Sequence, residues 1–193
     1  MTDTALKTAP IALAIPILET ERMRLRGHRL DDFDTLAALW ADPIVVRHTT
    51  GKPQTREEVW SRLLRYAGHW AMLGFGFWVA EDKSTGEFLG ELGFIDFKRE
   101  INPPLGNTPE IGWILSPHAH GKGYATEAVR AVIAWGESHF GRVRTACLIH
   151  PENAASLRVA KKCGYREYAR TLYKDHEVIL LERFPQPLQS PSR

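Results

Sequence analysis

The segment Glu110 to Ala128, EIGWILSPHAHGKGYATEA, constrains this chain more than any other stretch. It reads as a strand that runs into a turn carrying Gly121 and Gly123 and opens directly onto a helix. The first turn of a helix has backbone N–H groups without intrahelical acceptors and a partial positive charge, so such a joint suits an anion. Glycines let the backbone come close, and successive N–H groups can form a nest around phosphate oxygens. A diphosphate-bearing molecule is the natural guest. The plainer alternative is a strand–turn–helix joint whose glycines only make the turn. Two other phosphate loops do not fit. A P-loop requires Ser or Thr after Gly-Lys and a Gly five residues before that Gly, whereas Gly123 follows Lys122 and position 116 is serine. A dinucleotide fingerprint requires a third glycine where Thr126 stands.

Around this joint the hydrophobic period switches repeatedly. Glu21 to Arg26 alternates, with Met23 and Leu25 on one face and Arg22, Arg24 and Arg26 on the other, which predicts a half-buried strand. Asp31 or Asp32 can cap a helix bearing Phe33, Leu36, Ala37 and Trp40. Thr55-Arg56-Glu57-Glu58 is a capping box, followed at helical spacing by Val59, Leu63 and Ala67. Phe75 to Glu81 and Glu87 to Phe97 flank a turn and predict a hairpin, with a further strand over Glu110 to Leu115. A helix from about Thr126 to Phe140, a strand from Val143 to His150 and a helix from Ala154 to Cys163, stopped by Gly164, follow. Strands near Tyr165 to Leu172 and Val178 to Phe184 pair across Lys174-Asp175. The expectation is an α/β (mixed α+β) fold: one domain over residues 21–184, with a mostly antiparallel mixed sheet of about six to seven strands and helices on both faces. Residues 1–20 read as a loose N-terminal arm and 185–193, rich in Pro, Gln and Ser, as a disordered tail.

Composition narrows the function classes. A chain of 193 residues with 44% apolar and 25% charged residues can bury a core without disulfides or metal. A net charge of +2 gives no electrostatic case for a dedicated nucleic-acid binder. Cys147 and Cys163 match no disulfide framework or metal spacing and read as reduced thiols of a cytoplasmic protein. The apolar run Ala9 to Leu18 is broken by Pro10 and Pro16 and is too short to cross a bilayer, so neither a signal peptide nor a membrane partner is expected. His118 and His120 lie two apart without an evident third ligand, so no metal is expected.

The glycine turn resembles the acetyl-CoA pyrophosphate loop of GNAT acetyltransferases, Gln/Arg-x-x-Gly-x-Gly/Ala, here His120-Gly121-Lys122-Gly123-Tyr124-Ala125. The run Gly-Lys-Gly-Tyr-Ala-Thr-Glu-Ala is especially similar to the branch containing the ribosomal-protein N-terminal acetyltransferases. His120 departs from the usual Gln or Arg, a small change because backbone groups hold the phosphates. Asn153-Ala154-Ala155-Ser156-Leu157 and Lys162-Cys163-Gly164-Tyr165 resemble the family's second signature, and together the similarity runs from about Met23 to Phe184. The resemblance implies that backbone groups of Ile114 and Leu115 pair with the pantetheine arm of acetyl-CoA. It also implies that Gly121, Lys122, Gly123, Tyr124, Ala125 and Thr126 hold the pyrophosphate, that Asn153 bonds the pantetheine region, and that Ser156 lies near the thioester sulfur. Asn153 can equally be a helix cap.

The implied reaction is transfer of an acetyl group from acetyl-CoA to a primary amine, by a monomer or homodimer. The amine must be neutral to attack, and a lysine-type amine with a pKa near 10.4 is almost wholly protonated at neutral pH. Glu110, which starts the cosubstrate strand, is the first candidate base, Glu91 the competitor, and a solvated or structural Glu110 the plainer reading. Many family members use a tyrosine as acid where this chain has Ala160, so Ser156 is the remaining candidate. Holding amine and thioester together, with a backbone N–H near Leu115 on the oxyanion, could supply much of the rate. Trp40, His48, Trp70 and Trp78 are candidates for the acceptor pocket, each tryptophan being equally a core residue. The alternatives are a non-catalytic acyl-CoA binding or sensing module and an unrelated phosphate-ligand binder.

Overall fold

The structure, a computed structural model, describes residues 13–185 and centres on one eight-stranded sheet. Its strands are β1 (Leu18–Glu19), β2 (Met23–Arg26), β3 (Phe77–Asp82), β4 (Phe88–Ile95), β5 (Glu110–Leu115), β6 (Thr145–Ile149), β7 (Arg166–Tyr173) and β8 (His176–Arg183). They lie in the order β1-β2-β3-β4-β5-β6-β8-β7. Every neighbouring pair is antiparallel except β5 and β6. A parallel pair needs a long crossover, and the chain supplies one through α4 (Tyr124–His139).

The remaining helices are α1 (Phe33–Ala41), the four-residue α2 (Pro43–Val46), α3 (Arg56–Leu73) and α5 (Ala154–Lys162). The capping box forms as expected: Glu58 N donates to Thr55 Oγ1 at 3.2 Å and Thr55 N donates to Glu58 Oε2 at 2.7 Å. Lys174 and Asp175 take φ values of 50° and 64°, the paired positive φ that lets a two-residue turn follow the twist of β7 and β8. On one face of the sheet, α4 and α5 enclose a core that includes Met23, Leu25, Leu92, Ile111, Val129 and Cys147. On the other, α1 to α3 enclose Leu36, Trp40, Val46, Val59 and Leu63.

Three expectations change. The sheet has eight strands because the stretch read as a loose arm contributes β1, and Trp78 Nε1 donates to the Pro16 carbonyl at 2.8 Å. Residues 1–12 and 186–193 lie outside the described residues, and with them most of the arm and the tail. Arg26, placed by alternation on a polar face, is buried. Its guanidinium donates to both carboxylate oxygens of Asp32 at 2.7 and 2.8 Å and to Glu81 at 2.7 Å. The helical layer covers this face, and two carboxylates offset the cost of burying the charge. Trp70 and Trp78 meet edge to face, with centroids 4.7 Å apart, and are buried inside the α4-side core.

Candidate functional site

β5 and β6 pair at one position only, Glu110 with Ala146, where Ala146 N donates to the Pro109 carbonyl at 3.0 Å. Beyond it the strands part, and Gly112, Trp113 and Ile114 are partly exposed although β5 lies in the middle of the sheet. Main-chain groups of successive strand residues face opposite edges. The Pro109 carbonyl faces β6, and Ser116 N donates to Leu89 on the β4 side at 2.9 Å. The main chain of Trp113 and Leu115 therefore faces the cleft, whereas Ile114 faces β4, where its register partner is Glu91. The free main-chain edge is thus that of Trp113 and Leu115, where the sequence suggested Ile114 and Leu115. Gly90 lets β4 press against this strand. Its φ is +148°, and a Cβ there would collide with the Ile114 carbonyl and lie 2.7 Å from Leu115 Cα.

The glycine turn sits at the far end of β5. Gly121 and Gly123 have φ values of 74° and 86°, and Gly123 is the N-cap of α4 without any side-chain cap. Glu127 is the first residue to donate back, to the Gly123 carbonyl at 3.2 Å, so the preceding N–H groups are those a helix start leaves for an anion. Residues 120–123 are exposed and Tyr124, Ala125 and Thr126 partly exposed. His120 does not turn its side chain to the nest: its Nε2 lies 2.9 Å from the Leu115 carbonyl and ties the turn to β5. A residue that sequence reasoning missed underpins the turn. Arg22 donates to the Lys122 carbonyl at 2.9 Å, pairs with Glu127 Oε2 at 2.7 Å and lies 4.3 Å from the centre of the Tyr124 ring. Nothing in the pattern around Arg22 pointed to residues a hundred positions away.

Glu110, Gly112 and Ile114 share a face with Glu91, Gly93 and Ile95, which pair with them across the ladder. It is the face covered by α1 to α3. Glu110 is buried, and both its oxygens are engaged by Arg99 at 2.6 and 2.7 Å. Arg99 in turn lies 4.6 Å from the centre of the Tyr173 ring and 4.9 Å from that of Phe97. Glu91 is completely buried and collects three partners: Trp40 Nε1 at 3.0 Å, Tyr66 Oη at 2.7 Å and His28 Nε2 at 3.1 Å. Burial would raise its carboxyl, but the hydrogen bond and charge of His28, with Tyr66 and Arg62, outweigh that and hold it below the ordinary value. Trp40 is thus a buried hydrogen-bond donor in this cluster.

The second signature opens α5. Asn153 is its N-cap, accepting from Ser156 N at 3.1 Å, and both residues are partly exposed. Ala160 is fully buried, so no tyrosine acid stands there. His150, at the end of β6, lies beside His48 of the loop after α2, with ring centroids 5.2 Å apart. Burial, then the neighbouring His150 and Arg47, hold His48 below the ordinary imidazole range. His118 and His120 face different partners, Glu87 and Leu115. A cavity of about 500 Å³ lined by Leu73, Phe75, Thr108, Phe140 and Arg144 holds none of these residues.

Comparison with known proteins agrees with this geometry. The family model described as an acetyltransferase (GNAT) domain matches residues 22–166. The Bacillus subtilis protein YkkB, itself uncharacterised, is 40% identical over 84% of this chain and 91% of its own length. A GnaT-family acetyltransferase of Bordetella pertussis superposes with a TM-score of 0.78 at 31% identity, covering 88% of this chain and 99% of that one. The ribosomal L7/L12 α-N-protein acetyltransferase RimL, solved with coenzyme A, shares the fold with a TM-score of 0.72 at 15% identity, over 88% of this chain and 98% of that one.

Proposed function

Because this chain belongs to the GNAT acetyltransferase family, we propose that it acetylates a primary amine, a protein N-terminus or a small-molecule amine, by direct attack on the thioester of acetyl-CoA. The observation that carries this reading is the parting of β5 and β6 after a single bridge, with a glycine-rich helix start at the end of the parted strand. Trp113 and Leu115 offer main-chain groups to the amides of a pantetheine arm, in the manner of strand addition. Gly121, Lys122, Gly123, Tyr124, Ala125 and Thr126 would receive the pyrophosphate, with Arg22 fixed beneath them. Asn153 and Ser156 flank the same cleft from the start of α5. Free, buried cysteines fit a reducing compartment such as the cytoplasm.

For the proton that must leave the amine, two roles for Glu110 compete. As base, it would have to take a proton while leaving the largely buried Arg99 guanidinium without its counter-charge. As a positioning residue, it fixes Arg99, and through Arg99 the Tyr173 ring, at the closed end of the cleft. The bidentate pair favours positioning, with water accepting the proton and approximation of amine and thioester supplying the rate. Ser156 is the hydroxyl we assign to protonating the departing thiolate. The test is release of free CoA from acetyl-CoA across an amine library, with the acetylated product identified by mass. Tight acetyl-CoA binding with no CoA release from any amine would make the chain an acyl-CoA binding module instead.

A further inference from the structure

We propose that His48, His150 and Glu152 form a binding site for a divalent transition-metal ion, zinc by preference, and that the ion restrains acetyl transfer. The binding claim stands on these side chains; the restraint rests on the acetyl-transfer reading. One donor atom from each residue lies within 4.8 Å of the other two. Two imidazoles and a carboxylate are a set that holds zinc with a fourth position left to water.

The set is drawn from distant segments with fixed backbones. His48 sits in the loop after α2, closed by Thr49 N and Gly51 N, which donate to the Val46 carbonyl at 3.0 and 2.9 Å. His150 and Glu152 sit in the turn between β6 and α5, closed by Asn153 N donating to the His150 carbonyl at 2.9 Å. Tetrahedral zinc with bonds near 2.0–2.1 Å sets its donors about 3.4 Å apart, so side-chain rotation has to draw them in by on the order of 1 Å. Ligation also gives up the 3.2 Å contact from Glu152 N to His150 Nδ1, a long hydrogen bond. Glu152 and Arg47 are both exposed, so the carboxylate loses little hydration and the nearby cation is screened. Once bound, the ion would tie the 47–51 loop to the turn that carries Asn153, across the entrance to the cleft.

The experiment uses the full chain stripped with a chelator. Zinc binding is measured by calorimetry, and cobalt binding by its visible absorption. One saturable ion per chain is expected, weakened at least about tenfold in His48→Ala and in His150→Ala, the effect that even an outer-shell loss produces. His118→Ala should bind as the original chain does, and circular-dichroism melts check that each variant is folded. No saturable binding, or equal binding by the original chain and folded His48→Ala, would overturn the site. With acetyl-CoA and an accepted amine, the stripped chain should turn over and slow when zinc is added, and His48→Ala should lose that sensitivity. Turnover abolished by the chelator and restored by zinc would overturn restraint, because the ion would then be required. Failure to find any accepted amine would count against the acetyl-transfer reading and leave the binding result to decide the site.

Discussion

Glu110 shows what a single residue type leaves undecided. Its place at the head of β5 could be read from the apolar run that ends at Pro117, but the Arg99 that occupies both its oxygens lies across a loop of Pro, Gly and Asn that no periodicity describes. If Glu110 positions, Glu110→Gln should lower stability or acetyl-CoA affinity and leave the shape of the rate-versus-pH profile intact. If it is the base, turnover should fall by about 100- to 10,000-fold, the usual contribution of a general base, and the acid limb of the profile should disappear. Gly123 gives a sharper case. At φ +86° a β-branched side chain is strained, and a Cβ would already lie 3.4 Å from the Arg22 guanidinium. Gly123→Val should lower acetyl-CoA affinity about tenfold or more in a chain that still melts cooperatively, measured by calorimetry. Unchanged affinity would refute the phosphate cradle.

At the scale of elements, the strongly periodic pieces were legible and the contacts between them were not. The capping box fixed the start of α3, Gly164 the end of α5, and the Lys174-Asp175 turn the last hairpin, because each is a local solution to a backbone hydrogen-bonding or φ requirement. β1 was missed because its two residues carry no period of their own and exist only by pairing with β2. Which edge of β5 faces the cleft was also misread, since that depends on pairing partners rather than on side-chain alternation. The close approach at Gly90 belongs here too: without a Cβ there, β4 presses against β5. Gly90→Ala should cost about 1–3 kcal/mol, from a forced φ and a collision with backbone that cannot swing away. Urea unfolding would measure it, and a loss below about 0.5 kcal/mol would show that the backbone there relaxes freely.

For the molecule as a whole, carboxylates wholly or partly buried set the response to acid. Glu91, Asp32 and Glu127 are each held below their ordinary values by donors and cations that outweigh their burial. A carboxyl depressed in the folded state contributes stability that is complete above its unfolded value and is lost as pH falls through the folded one. For Glu91, whose ordinary value is 4.5, that window lies below about pH 5. Glu91→Gln should therefore lose roughly 3 kcal/mol at pH 7, as when one partner of a buried pair is removed. The gap between the two chains should narrow steadily as the pH is lowered toward 3, in paired urea titrations. A gap that widened as the pH fell would mean that Glu91 is protonated in the folded protein at neutral pH, and a constant gap that folding does not shift its value.

The lone bridge between β5 and β6 gives this sheet an internal edge, and edges have a liability as well as a use. Unpaired main-chain groups invite any extended segment, including one from another copy of the chain. Amide exchange should find Trp113 and Leu115 labile although they lie at the centre of an eight-stranded sheet, and should slow when acetyl-CoA is added. The same occupancy would raise the melting temperature, by about 2.7 kcal/mol of stabilisation when the ligand stands at 100 times its dissociation constant. In a cell short of the acyl donor the protein would then be idle and, at the same time, more exposed to mispairing.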